Sequence, residues 1–189
     1  LNECKETISH FGENIMTYSL LYEFYENNKN TSKTDYYYSK IKNLYTSDVE
    51  IESAVYPAIK QNDHLFLNEI LRKLVLVSPE DIDYLFLLGK SYLNLGKYQL
   101  AKEQFITLFM LDRFSTSYNY YLELSNELLI NGVKDKNVFP IPYTEEFPSS
   151  YVKKCAKKIR QNTQILLDGK KPANILNELK VAFCDIQTI

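Results

Sequence analysis

The chain has 189 residues, a formal net charge of -2, 45% hydrophobic and 14% aromatic side chains, and 16 tyrosines with no tryptophan. That length and apolar content suffice for a proper core as one domain, and the balanced charge argues against a general nucleic-acid binder. The longest apolar runs, such as 84–88, fall far short of a membrane span. Three widely separated cysteines, Cys4, Cys155 and Cys184, point to free thiols in a reducing compartment, cytoplasmic or nuclear, rather than to a disulfide framework.

Leu1 and the residues after it form no signal-peptide arrangement, and the chain is expected to be part of a longer one. Cys4 to Asn27 reads as one or two helices with Ile8, Phe11, Ile15, Leu20, Tyr22 and Phe24 on the apolar side and Gly12 as a candidate interruption. A polar connection follows over Asn28 to Lys33, and a tyrosine-rich helix resumes from Asp35 to Tyr45. Ser47 and Glu50 are spaced as a capping box. Pro57 then lies inside a helical pattern, where it either kinks the helix or marks the first turn of a shorter one.

The densest signal lies between Ile82 and Ser115. Ser78 reads as an N-cap, Pro79 as a first helical residue and Asp81 as the partner of a capping-box-like start. Leu85, Leu88, Tyr92 and Leu95 share one helical face, while Lys90 and Asn94 fall on another. Gly96 stands where the helix must stop and the chain enter a left-handed conformation. Ala101, Phe105 and Leu108 recur at intervals of four and three on the next helix. Gly89 and Ala101 are small enough to let two helix axes approach closely.

Leu88, Gly89, Tyr92, Ala101 and Phe105 in that order, over the length of one ~34-residue unit, resemble a tetratricopeptide repeat. Leu85 stands where the family often has tryptophan, and Arg113 where it often has proline. One period earlier, Asp48 to Asp81 forms a degenerate unit. Leu67, Leu71 and Leu74 take its second-helix core positions, Val55 the small position and Ala58 the aromatic one. One period later, Ser115 to Asn131 is amphipathic through Tyr118, Tyr121, Leu122, Leu128 and Leu129, and Gly132 ends it. Its expected partner helix is missing. Residues 133–150 carry Pro140, Pro142 and Pro148 instead and read as an irregular connection.

The fold expected is all-α, a tetratricopeptide-like stack of antiparallel helical hairpins with extra helices at both ends, in a single domain over 1–189. Within it, 1–47 holds N-terminal helices, 48–132 the repeat core, 133–150 the proline-containing loop and 151–189 basic C-terminal helices. A basic helix from Ser150 to near Gly169 and a last helix opened by Pro172 complete the reading.

In that family the first helix of each hairpin lines a concave, ligand-holding face. The resemblance places Asp83, Phe86, Lys90, Leu93 and Asn94 there, followed by Ser117, Tyr120, Leu124 and Glu127. Phe86, Leu93 and Leu124 are either open to a partner or covered by terminal helices. Such composition suits an apolar or aromatic anchor oriented by Lys90; the paired basic residues of chaperone-tail clamps are not reproduced.

Chemistry is sparse. His10 and His64 form no pair at metal-ligand spacing, no glycine run cradles phosphate, and Ser91 and Ser125 have no local base. No catalytic residue, metal or cofactor is expected. Cys155 lies among Lys154, Lys157 and Lys158, which would favour its thiolate. Lys153, Lys154, Lys157, Lys158 and Arg160, continued by Lys170 and Lys171, form a basic run over 153–171. It is either a solvated face or a site for an anionic partner such as RNA or a membrane surface.

The expected function is a non-catalytic scaffold or adaptor that binds a protein or peptide segment or pairs with a second copy as a homodimer. The resemblance fits both a scaffold subunit of a multiprotein machine, such as the anaphase-promoting complex, and a secretion chaperone shielding an apolar client segment.

Overall fold

The computed structural model describes residues 2–45, 51–113, 115–133 and 139–143, with side chains from Glu6 onward. Among them every regular element is helical, so the fold is all-α and built of antiparallel helical hairpins. The chain divides into two compact units, Leu1–Tyr84 and Leu85–Ile189.

The first unit holds α1 (Asn2–Phe11), α2 (Ile15–Asn27), α3 (Thr31–Leu44), a 3-10 turn (Ile51–Ala54), α4 (Val55–Lys60) and α5 (His64–Val77). Gly12, at φ 77°, breaks the N-terminal pattern into α1 and α2, and the Asn14 side chain caps α2 by accepting from the Thr17 amide at 2.7 Å. Asn30 caps α3 in the same way through the Lys33 amide. That helix therefore begins at Thr31 rather than at Asp35, and the connection from α2 shortens to a tight turn. Tyr18, Leu21 and Tyr22 of α2 and Tyr37 and Ile41 of α3 are buried, with the Tyr25 and Tyr37 rings stacked at 5.6 Å. Pro57 sits in the first turn of the short helix α4, where its missing amide hydrogen costs no helical bond. Leu67 and Leu71 of α5 are fully buried and Leu74 nearly so.

The start of α6 (Ile82–Asn94) differs from the sequence expectation. The Ser78 amide donates to the Leu74 carbonyl at 2.8 Å, closing α5. Asp81 then caps α6 by accepting from the Tyr84 amide at 3.0 Å. Pro79 thus lies between helices, not inside one.

The second unit contains the rest of α6, α7 (Tyr98–Leu111) and α8 (Thr116–Asn131). Gly96, at φ 70°, ends α6 in a Schellman arrangement. The Lys97 amide bonds to the Tyr92 carbonyl and the Gly96 amide to the Leu93 carbonyl. A Cβ on Gly89 would stand 2.6 Å from the Phe105 ring, so close approach of α6 and α7 demands glycine there. Phe105, fully buried, stacks on Tyr121 of α8 at 5.3 Å, and Phe86 meets the edges of both rings. Tyr118 and Tyr121 of α8 pack on the same aromatic cluster.

Candidate functional site

Lys90 and Asn94 are one helical turn apart on α6, so their side chains project from the same face. That face carries a short stretch of the chain's own irregular connection, Phe139-Pro140-Ile141-Pro142-Tyr143. Ile141 precedes a proline, which biases it toward the extended region, while the Phe139–Pro140 peptide bond is cis. Ile141 and Tyr143 are buried while Pro140 and Pro142 are exposed, so burial alternates along the segment.

The Asn94 side-chain amide pairs with the backbone of Ile141 in both directions. Its Oδ1 accepts from the Ile141 amide at 2.6 Å, and its Nδ2 donates to the Ile141 carbonyl at 3.0 Å. Lys90 Nζ donates to the Pro142 carbonyl at 3.1 Å and to the Tyr143 carbonyl at 3.4 Å. Four residues of helix rise ~6 Å, and two residues of extended chain span ~6–7 Å. The register Asn94 to Ile141 and Lys90 to Tyr143 is therefore set by matching repeats, with the segment running opposite to α6. Beyond the helix end, the Tyr98 and Phe139 rings approach at 6.5 Å.

Lys90 is 0% exposed, an extreme position for an ammonium group. The carbonyls are joined by the faces of Phe86 and Tyr121, with Nζ at 4.5 Å and 5.0 Å from the ring centres, so dipoles and ring quadrupoles replace water. Burial pushes the Tyr143 phenol up to about 12, against the opposing effect of its hydrogen bond with Asn94. Pro140 and Pro142 carry no amide hydrogen, and the Ile141 donor between them is met by Asn94.

The structure thus brings Lys90 and Asn94 together and sets Phe86 beneath Lys90, half-buried among Phe105, Tyr118 and Tyr121. Leu93 is fully buried. Asp83 is exposed in the first turn of α6. Tyr120 and Leu124 are half-buried on α8, where Tyr120 packs edge-on against Tyr121 at 4.9 Å. Ser117 is buried and Glu127 exposed. The residues absent from the sequence expectation are Ile141 and Tyr143. The signal that could have found them is an apolar residue at every second position across two prolines.

Ser91 and Ser125 hydroxyls donate to the Leu88 and Tyr121 carbonyls of their own helices. Burial depresses the His64 imidazole, against the opposing charge of Asp63. Among the described residues no group of three His, Cys, Asp or Glu side chains is placed to hold a metal ion, and no helix is long and apolar enough to cross a membrane. Cys155 and the basic residues Lys153, Lys154, Lys157, Lys158 and Arg160 lie outside the described residues, as do the Ser47–Glu50 box, Pro148 and the last two expected helices.

Comparison with protein-family models, with curated proteins and with solved structures finds no match to this chain.

Proposed function

We propose that the chain is a non-catalytic protein-interaction module of tetratricopeptide-like helical hairpins, a scaffold or adaptor whose α6 face grips an extended stretch of polypeptide. The observation that carries this reading is the two-way pairing of the Asn94 amide with the backbone of Ile141. A side chain that satisfies both the N–H and the C=O of one residue recognises extended backbone as such. Flanking pockets then select side chains. Lys90 extends the grip to the next two carbonyls, and the aromatic cluster beneath it supplies a rigid floor.

Selection of a displayed library of extended peptides on the immobilised full chain tests the reading. Enrichment of a shared pattern, lost when Asn94→Ala is used as bait, is the expected result. A library that enriches equally on Asn94→Ala would remove α6 as an interaction face.

A further inference from the structure

We infer that residues 139–143 are an internal ligand. On this view the Lys90–Asn94 turn takes extended segments of the pattern aromatic, proline, aliphatic, proline, aromatic. The chain's own copy fills the site until a partner segment of that pattern displaces it. The inference rests on the proposed interaction reading and names both its ligand class and its regulation.

Three features point to a ligand rather than to a mere connection. The contacts from Asn94 and Lys90 go to backbone atoms of Ile141, Pro142 and Tyr143, and any second chain presents the same atoms. The side chains that enter, Ile141 and Tyr143, alternate with two exposed prolines, so the pattern selected is compact and readable. The prolines also leave Ile141 as the sole amide donor from 140 to 142, and Asn94 accepts from it at 2.6 Å. Pro142 restricts the backbone of Ile141 in a free segment as well, which lowers the ordering cost of binding in trans at that residue. Covalent linkage makes the internal copy an effective competitor, because its local concentration exceeds that of a free peptide.

The test uses the full chain and a labelled, end-blocked Phe-Pro-Ile-Pro-Tyr peptide. Ile141→Asp with Tyr143→Ser should vacate the site, and the peptide should then bind at least tenfold more tightly than to the unaltered chain. Adding Asn94→Ala should abolish that gain. A peptide N-methylated at isoleucine, which lacks the donor, should fail on every form. The unaltered chain provides a reading independent of any variant's folding: excess peptide should accelerate exchange of the Ile141 amide hydrogen. An Ile141 amide whose exchange stays constant at saturating peptide, or a vacated chain that gains no affinity, makes 139–143 a structural strap and overturns the inference. Display-selected peptides that need Asn94 and release Ile141 but share no aromatic, proline, aliphatic, proline pattern sink this inference but leave the interaction reading standing. Failure of every peptide on both the intact and the vacated chain sinks both.

Discussion

Lys42 in the first unit and Lys90 in the second each lie over two aromatic rings, and they are held in opposite ways. Lys42 Nζ is 5.8 Å and 5.4 Å from the Tyr38 and Phe66 ring centres and 2.8 Å from the Asp63 carboxylate, with 45% of its side chain exposed. Lys90 has no exposed surface and turns to carbonyls some fifty positions further along the chain, in a separation of 52 for the first and 53 for the second. Water does much of the solvation of Lys42, so its ion pair is worth ~0–1 kcal/mol. Around Lys90 the protein must do all of it, and the extended segment is part of that solvation. One lysine decorates a surface; the other couples a loop to a core.

Charge reversal separates the two most strongly. Lys90→Glu would face the Pro142 and Tyr143 carbonyls with an uncompensated buried charge. Its expected cost is roughly 3–5 kcal/mol, read as a lowered urea midpoint. Lys90→Met keeps the stem and relieves the desolvation, leaving the carbonyls short of a donor at ~1–3 kcal/mol. It should therefore fall well below the glutamate. Lys42→Ala should move the midpoint by ~1 kcal/mol or less. If the Lys90 and Lys42 variants proved equally mild, burial would not be what distinguishes the two sites.

The next effect concerns the floor beneath Lys90. Gly89→Ala places a Cβ 2.6 Å from the Phe105 ring, and that ring is wedged between Phe86 and Tyr121. Overpacking costs ~1–3 kcal/mol, offset by up to ~1 kcal/mol of helix propensity. A net loss of about 1–2 kcal/mol is expected by thermal or urea unfolding. A stabilised variant would mean that the α6–α7 approach is looser than the 2.6 Å separation implies.

Local rules located most helices, because caps and stops are short-range physics. Gly96 and Gly132 end α6 and α8 where the sequence marks them, both at positive φ, and Ser115 caps α8. Close approach at Gly89 follows from the missing Cβ alone. The start of α6 follows Asp81 rather than Ser78, although both are capping residues. The choice between them depends on where α5 ends, at the Leu74 carbonyl. For the candidate site, periodicity set Lys90 and Asn94 on a common face but carried nothing about what covers it. The answer lies 47 positions away at Ile141, in a stretch whose prolines read only as a break in helix.

The smallest effect belongs to the surface member of the pair. Burial works against ionisation of Asp63, but hydrogen bonds from Lys42, the Phe66 amide and the Tyr38 hydroxyl outweigh it and hold the carboxyl below its ordinary value of 3.8. Because the folded value is the lower one, the contribution is present above pH 3.8 and is lost as pH falls through the folded value. Asp63 also caps α5 through the Phe66 amide at 3.1 Å, so Asp63→Asn retains an acceptor for the cap while removing the titration. The unaltered chain should therefore lose more stability than Asp63→Asn between pH 5 and pH 3, which lie about one unit either side of the ordinary value. Equal losses for the unaltered chain and Asp63→Asn over that interval would mean that ionisation of Asp63 contributes nothing to holding the folded state.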